Sequence, residues 1–478
     1  MKVLDFYPVF MIKRFRKENS IIDNNLVVAS IEDYAGGIHH LNKTALEILS
    51  LFDGKNSVKD VLNYLMEKYD APKHRLLAGI RSVLRNGIEK GFISLQEHIE
   101  PPVPLDDKRK IPKEPLHNFL YTPREVLFEL TYACNLHCKH CYSSSGEPMP
   151  DELDKQELMR LADELGEMKV FRVSIGGGEP LLRIEELIFF VRELNSRGIE
   201  ADLVTNGVLF NEEVARALWK AGLRRVQFSL DGVGTLHDEI RGFKGCFDKV
   251  VEAIKLAKLM GYKILVKSVV QRKNLPQLKR IYALVKELGV SYWSVNRFVP
   301  SGRAKEFLEE IYVVYENYAA AIKKIKDIVS REVGGPQVGL EPLLDEMKAR
   351  KKKASETYAV CMAGTLSLHL CPDGTVLPCS YFPKEFSCGN IREQNLHNIW
   401  LNSKLLTRLR TLKLSDIGEP CTSCGLECNG KCRGSAAAFF GRITAPDPMC
   451  PIVERRSTEM PYKVYWTKPC APSPAEEI

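Results

Sequence analysis

Cysteine placement constrains this chain more than any other feature of its sequence. Of 14 cysteines in 478 residues, three stand at 134, 138 and 141, nine fall between 361 and 450, and only Cys246 and Cys470 lie outside these clusters. A disulfide framework would suit a small secreted domain behind a signal peptide. The N-terminus MKVLDFYPVFMIKRFRKENS has no small-residue cleavage site, and no run of about 18 apolar residues occurs, so neither export nor a membrane span is expected. The cysteines therefore read as metal ligands in a reducing cytoplasm.

The net charge of +7 is mild for this length. A nucleic-acid binder concentrates its charge on one face, whereas here the basic residues are dispersed apart from Lys348–Lys353, which reads as a solvated helix end. No nucleic-acid partner is expected.

At roughly 150 residues per domain, the length accommodates about three domains. Residues 1–98 show β-prone runs at Ile21–Val28 and Gly37–Leu41, then three amphipathic helices, the second opened by Ser57 and Asp60 as a capping-box variant. This predicts a winged-helix-like α+β module. Five prolines and many charges mark 99–122 as a linker.

From 123 to 310, strand-like runs at Val126–Thr131, Val170–Ile175, Ala201–Thr205, Arg225–Leu230, Ile264–Val270 and Tyr292–Phe298 alternate with helical stretches. Such alternation predicts an α/β domain with a parallel sheet, and six units fit a partial (β/α)6 TIM-like barrel rather than a full eight-stranded one. Residues 311–357 read as a helical connector, 358–455 as a cysteine-rich domain with a β-hairpin turning at Pro372-Asp373-Gly374, and 456–478 as a tail.

Cys134, Cys138 and Cys141, spaced C-x3-C-x2-C, directly follow the first barrel strand. Three thiolates on one loop hold three corners of a [4Fe–4S] cubane and leave the fourth iron open. Structural zinc, the competing reading, prefers four ligands and would need His137 or His140. The spacing and its place resemble those of the radical S-adenosylmethionine (SAM) enzymes. In that family SAM chelates the open iron, and its reductive cleavage yields a 5′-deoxyadenosyl radical.

Further motifs end successive strands in the family's order. Gly177-Gly178-Glu179-Pro180 ends the second strand, Thr205-Asn206-Gly207 the third, and Ser229-Leu230-Asp231-Gly232 the fourth, followed by Arg241-Gly242. The resemblance implies SAM contacts from His140, Gly177, Gly178, Glu179, Pro180, Asn206, Ser229, Asp231 and Arg241. For Arg241, a salt bridge to Asp231 or Asp238 is the bland alternative.

The C-terminal pattern is Cys361-x12-Gly374-x4-Cys379, then Cys421-x2-Cys424-x3-Cys428-x3-Cys432, then Cys450. It resembles the SPASM domain, whose fullest form holds two auxiliary [4Fe–4S] clusters. The family run usually has five residues where three separate Cys424 from Cys428. The resemblance implies that Cys421, Cys424, Cys428 and Cys450 hold an outer cluster, and Cys361, Cys379 and Cys432 an inner one without a clear fourth ligand. Cys371 and Cys388 read as small buried hydrophobes, Cys246 and Cys470 as incidental, and zinc ribbons remain the alternative for 421–432.

The pattern from Leu41-Asn42 to Ser57-Val58 resembles the PqqD-like peptide-recognition domain, which clamps a leader peptide as an added strand. A DNA-binding winged helix with Arg75, Arg81 and Arg85 is the competing reading. Together the resemblances imply an enzyme that oxidatively modifies a ribosomally made precursor peptide, through a thioether or carbon–carbon crosslink. They also imply an electron donor such as flavodoxin or ferredoxin. A radical SAM enzyme acting on a cofactor precursor or a folded protein, of haem or sulfatase-maturase type, is the alternative, and a non-catalytic iron–sulfur or zinc regulator a distant third.

Overall fold

The computed structural model describes residues 7–10, 14–22, 25–32, 38–53, 55–90, 93–96, 109, 116–332, 334–359 and 361–456. Most of the expected linker, Cys470 and the tail beyond 456 lie outside them. Contacts divide the chain into two compact units that meet between Tyr121 and Thr122.

In the first unit, β1 (Tyr7–Phe10) pairs antiparallel with β5 (Ile93–Gln96). A four-stranded sheet has the order β4-β3-β2-β6, formed by β2 (Arg14–Ile22), β3 (Asn25–Glu32), β4 (Ile38–Leu41) and β6 (Leu116–His117). The run Ile21–Val28 is not one strand: Ile21 and Ile22 end β2, and Asn25 begins β3 opposite Ile22. Most of β2 escaped notice because its polar residues face inward, where Arg16 and Glu18 are buried and form an ion pair at 2.7 Å. Three helices follow, α1 (Lys43–Ser50), α2 (Val58–Lys68) and α3 (Lys73–Glu89). The Ser57 hydroxyl accepts from Asp60 N at 3.2 Å while Asp60 accepts from Ser57 N at 2.8 Å, completing the expected capping box. Ile48, Leu49, Phe52, Val61, Leu62, Leu65, Ile80 and Leu84 fill the core. Arg75, Arg81 and Arg85 of α3 are exposed.

The second unit is built on a ten-stranded sheet. Its centre is the run of parallel strands β7 (Glu125–Thr131), β8 (Arg172–Gly177), β9 (Glu200–Thr205), β10 (Arg225–Ser229), β11 (Lys263–Val270) and β12 (Tyr292–Arg297), paired in chain order. The connecting helices are α4 (Lys155–Glu167), α5 (Ile184–Ser196), α6 (Glu212–Ala221), α7 (Thr235–Arg241), α8 (Cys246–Leu259) and α9 (Leu278–Glu287). Val126, Phe128 and Leu130, Val226 and Phe228, and Trp293 and Val295 are buried. At period two, Leu127 and Glu129, Gln227 and Ser229, Lys267 and Val269, and Asn296 turn to the other face and line a cavity. A partial barrel results.

Two extensions were not foreseen. The connector is helical over Tyr315–Arg331 but then forms β13 (Gln337–Leu340), parallel to β12; Gly334-Gly335-Pro336 breaks the helix first. On the opposite edge β14 (Ser367–Leu370) pairs parallel with β7, followed by antiparallel β15 (Thr375–Leu377) and β16 (Gly389–Asn390). The expected hairpin is therefore a continuation of the barrel sheet. The basic run is also not a helix end: Arg350 donates to the carbonyls of Cys421 and Thr422 at 2.9 and 2.7 Å.

Phe128 packs edge-to-face on Phe190 of α5 with ring centroids 5.3 Å apart, both fully buried. Phe128→Ala is expected to cost about 3–5 kcal/mol, read as a lowered denaturant midpoint.

Candidate functional site

The loop after β7 closes on itself. Cys134 N donates to Gly146 O at 2.9 Å and Gly146 N to Tyr132 O at 3.0 Å. Buried Arg303 clamps it, donating to the carbonyls of Cys138 and Ser145 at 3.0 and 3.1 Å. Cys134, Cys138 and Cys141 thus line one wall of the barrel cavity. Burial pushes the Cys134 thiol up to about 11, and raises Cys138 despite the nearby Arg241. Three thiols on one loop facing the same cavity fit the donor set of an iron–sulfur cluster.

The end of β8 lies against this loop. A Cβ on Gly178 would stand 2.1 Å from Ala133 O, and one on Gly177, whose φ is +125°, 2.2 Å from Thr131 O. Glycine is required at both for the strand end to meet the loop. Glu179 is buried behind them and accepts from the Thr205 hydroxyl at 2.8 Å, Asn206 N at 2.9 Å and Leu181 N at 3.1 Å. Burial pushes its carboxyl up to about 7, and these donors oppose the shift. Asn206 in turn donates to Asn135 Oδ1 at 2.8 Å, fastening the third strand end to the cluster loop.

Asp231 anchors the far side. Its Oδ2 meets Arg241 at 2.6 Å and His140 Nε2 at 3.3 Å, and its Oδ1 accepts from Val269 N at 2.7 Å. Burial alone would raise its pKa; Arg241 and His140 override that and hold it well below the carboxylate range. His237 accepts from Asp231 N at 3.1 Å, and burial pushes it down to about 3, so the ring is neutral. Cys246 packs in the same apolar cluster as Cys138, with its Sγ 3.5 Å from His237 Nε2.

Of the expected SAM contacts, His140, Gly177, Gly178, Asn206, Ser229 and Arg241 line the cavity. Glu179, Pro180 and Asp231 do not: Glu179 and Asp231 support the wall from behind, and Pro180 opens a short turn. Arg241 both pairs with Asp231, as the bland alternative held, and faces the cavity.

Glu129, Tyr142, Gln227, Lys267, Asn296, Arg297 and Tyr381 also line the cavity and were not singled out from the sequence. Strand parity could have found several, since a polar residue at the inward phase of an apolar strand marks a lined interior. Burial lowers the Lys267 ammonium, opposed by Asp231. Glu129 accepts from the Tyr142 hydroxyl at 3.0 Å and meets His369 Nε2 of β14 at 3.1 Å. Burial would lower His369, but Glu129 overrides it and raises the imidazole to about 10.

In the C-terminal region, Cys421, Cys424, Cys428 and Cys450 line one small cavity with Lys431 and Asp447. The short spacing before Cys428 still brings it to the set. Cys379 and Cys432 lie together, with Cys361 acting electrostatically on both. The Cys432 sulfur accepts from Ser435 N at 3.3 Å, capping helix Arg433–Phe440. Cys371 is elsewhere, 3.4 Å from the Tyr132 hydroxyl, and Cys388 is buried against Ser403.

Gly178→Ala is expected to displace the cluster loop and abolish SAM binding, checked by iron content and equilibrium dialysis. The stability that the raised His369 pKa contributes is complete below the unfolded value near pH 6.5 and is lost as pH rises toward about 10. The gap in denaturant midpoint between wild type and His369→Gln should therefore narrow from pH 6 to pH 10.

Three family models match this chain: the radical SAM superfamily over 128–285, the SPASM iron–sulfur cluster-binding domain over 361–425, and the coenzyme PQQ synthesis protein D family over 25–93. Mycofactocin maturase MftC of Mycolicibacterium smegmatis is 33% identical over 69% of this chain and 83% of its own length. An AdoMet-dependent heme synthase of Oleidesulfovibrio alaskensis is 28% identical over 70% of this chain and 88% of its own. Among solved structures, Streptococcus suis SuiB bound to S-adenosylmethionine superposes with TM-score 0.61 at 17% identity, covering 89% of this chain and 98% of SuiB. SuiB bound to its precursor peptide SuiA gives the same TM-score of 0.61 at 15% identity, over 92% of this chain and 98% of that one. No described helix is long and apolar enough to cross a membrane. The chain belongs to the radical SAM superfamily, as an enzyme that binds SAM and a [4Fe–4S] cluster and carries PqqD and SPASM iron–sulfur domains.

Proposed function

We propose that this enzyme oxidatively modifies residues of a ribosomally made precursor peptide, forming a thioether or carbon–carbon crosslink. The observation that carries this reading is the union in one chain of a PqqD domain, a radical SAM core and a SPASM domain. We read 1–98 as the leader-binding domain, 123–310 as the radical core and 358–455 as the auxiliary-cluster domain. In the first unit β4 is an edge strand of its sheet among the described residues, suited to receive a peptide as an added strand.

Cys134, Cys138 and Cys141 would hold the cluster. Gly177, Gly178, Asn206, Ser229, His140 and Arg241 would receive SAM, with Lys267 available to a carboxylate. Bound there, SAM supplies a hydrogen-abstracting 5′-deoxyadenosyl radical once a flavodoxin- or ferredoxin-type donor provides an electron. Cys421, Cys424, Cys428 and Cys450 would hold the outer auxiliary cluster, and Cys361, Cys379 and Cys432 the inner one. Such clusters suit removal of the second electron.

A second reading, action on a cofactor precursor or a folded protein, is favoured by the 28% identity to a protein named heme synthase. Mass spectrometry separates the two. Incubation with SAM, reductant and the peptide encoded by a neighbouring short reading frame should lower the peptide mass by two hydrogens. An unchanged peptide together with a converted tetrapyrrole would overturn the peptide reading. Anaerobic reconstitution should load about 12 irons per chain, falling by about four in the triple Cys134/Cys138/Cys141→Ala variant, which should also lose SAM cleavage.

A further inference from the structure

Glu129 is the one carboxylate among the described residues lining the barrel cavity. The other charged groups there include Arg241 and Arg297, cations with no lone pair to offer, and Lys267, read above as the partner of a carboxylate. His140 turns Nε2 to Asp231 at 3.3 Å and keeps a second ring nitrogen, Nδ1, without a hydrogen-bond partner, between the cluster cysteines Cys138 and Cys141. Two phenols, Tyr142 and Tyr381, also line the cavity, and the Tyr142 hydroxyl donates to Glu129. Glu129 is thus the one carboxylate at the cavity wall among the described residues, an anion able to take up a proton.

Its surroundings are built, and by two segments far apart in sequence. From its own loop, Tyr142 donates to Glu129 at 3.0 Å. From β14, His369 meets it at 3.1 Å. Cys371 stands beside His369 in the same buried group, with Tyr132 donating to its sulfur at 3.4 Å. On the other side β8 places Gly176 in register with Glu129 and adds no charge. One carboxylate oxygen is therefore held by a phenol and the other by an imidazole, which fixes the group.

We propose that Glu129 is the catalytic base of the oxidation and that His369 is its positioning residue. This rests on the functional reading above. A substrate that makes one new bond by losing two hydrogens gives up one as a hydrogen atom to the SAM-derived radical. The other leaves as an electron, taken by an oxidised iron–sulfur cluster of the C-terminal region, and a proton, taken by the Glu129 carboxylate to give the acid. The neutral Glu129–His369 pair then carries one positive charge. The cysteine sets of the first loop and of Cys379, whose neighbours Ser380 and Tyr381 line the same cavity, are anionic when ligating and stabilise that charge.

The test compares wild type with Glu129→Gln and Glu129→Asp, matched for iron content, on the peptide of the neighbouring reading frame. 5′-Deoxyadenosine and modified peptide are counted separately. Glu129→Gln should keep peptide-dependent 5′-deoxyadenosine formation within a few-fold of wild type, while modified peptide per 5′-deoxyadenosine falls about 100-fold or more. Glu129→Asp should recover at least tenfold of that loss. An unchanged ratio in Glu129→Gln, or parallel loss of both products with no rescue by Asp, would overturn the proposal. Nitrogen-15 NMR of His369 in the loaded, oxidised protein gives a readout independent of turnover. The imidazole should lose its proton at least tenfold more readily in Glu129→Gln, and an unaltered titration would also overturn it. A wild type that cleaves SAM but leaves the peptide untouched overturns the peptide reading instead.

Discussion

The radical site depends on a contact from which side chains are excluded. The end of β8 and the cluster loop meet backbone to backbone, with Gly178 N donating to Thr131 O and Glu179 N to Ala133 O, each at 2.8 Å. Any Cβ at Gly177 or Gly178 would fall well inside van der Waals contact distance of a carbonyl oxygen. Because the loop is pinned by the strand beside it, its three cysteines are held to one wall of the cavity. Glu179 extends the same logic one strand further, buried and spent on the backbone and hydroxyl groups at the end of β9.

Charge is handled in the interior by pairing. Asp231, Arg241 and His140 form a buried group in which each partner offsets the desolvation of the others, and removing one member of such a group costs about 3–5 kcal/mol. Glu129 and His369 do the same at the opposite wall. Each pair includes a residue that faces the cavity, so electrostatic order in the scaffold becomes fixed polarity around the reactants. The bare chain's net charge of +7 overstates its basicity, since thiolate-held clusters are anionic.

Much of the barrel was legible because both signals involved are local. Six strands with apolar runs between amphipathic helices, and cysteines at fixed spacing, need only a short window to be read. What escaped depends on register between distant segments. Nothing near Ser367–Leu370 says that it will pair with Glu125–Phe128, and without that pairing His369 has no visible partner. Glu129 and Lys267 read as single polar interruptions of apolar strands; strand parity puts them on the face opposite the apolar residues but does not say what they meet there. Arg16 and Glu18 invert the usual inside-outside pattern by pairing in the interior, so most of β2 carries no apolar alternation to mark it as a strand.

The addition of β14 to β7 bears on how the chain reaches this state. The strand carrying the first cysteine loop gains its neighbour on one side from β8 soon after synthesis, but its other edge waits for a segment made far later. During that interval a nascent barrel presents an unpaired strand edge, the kind of surface that recruits a neighbouring chain. Closing this edge falls to Ser367–Leu370. The region matched by the iron–sulfur domain model over 361–425 therefore also covers an otherwise open edge of the core sheet.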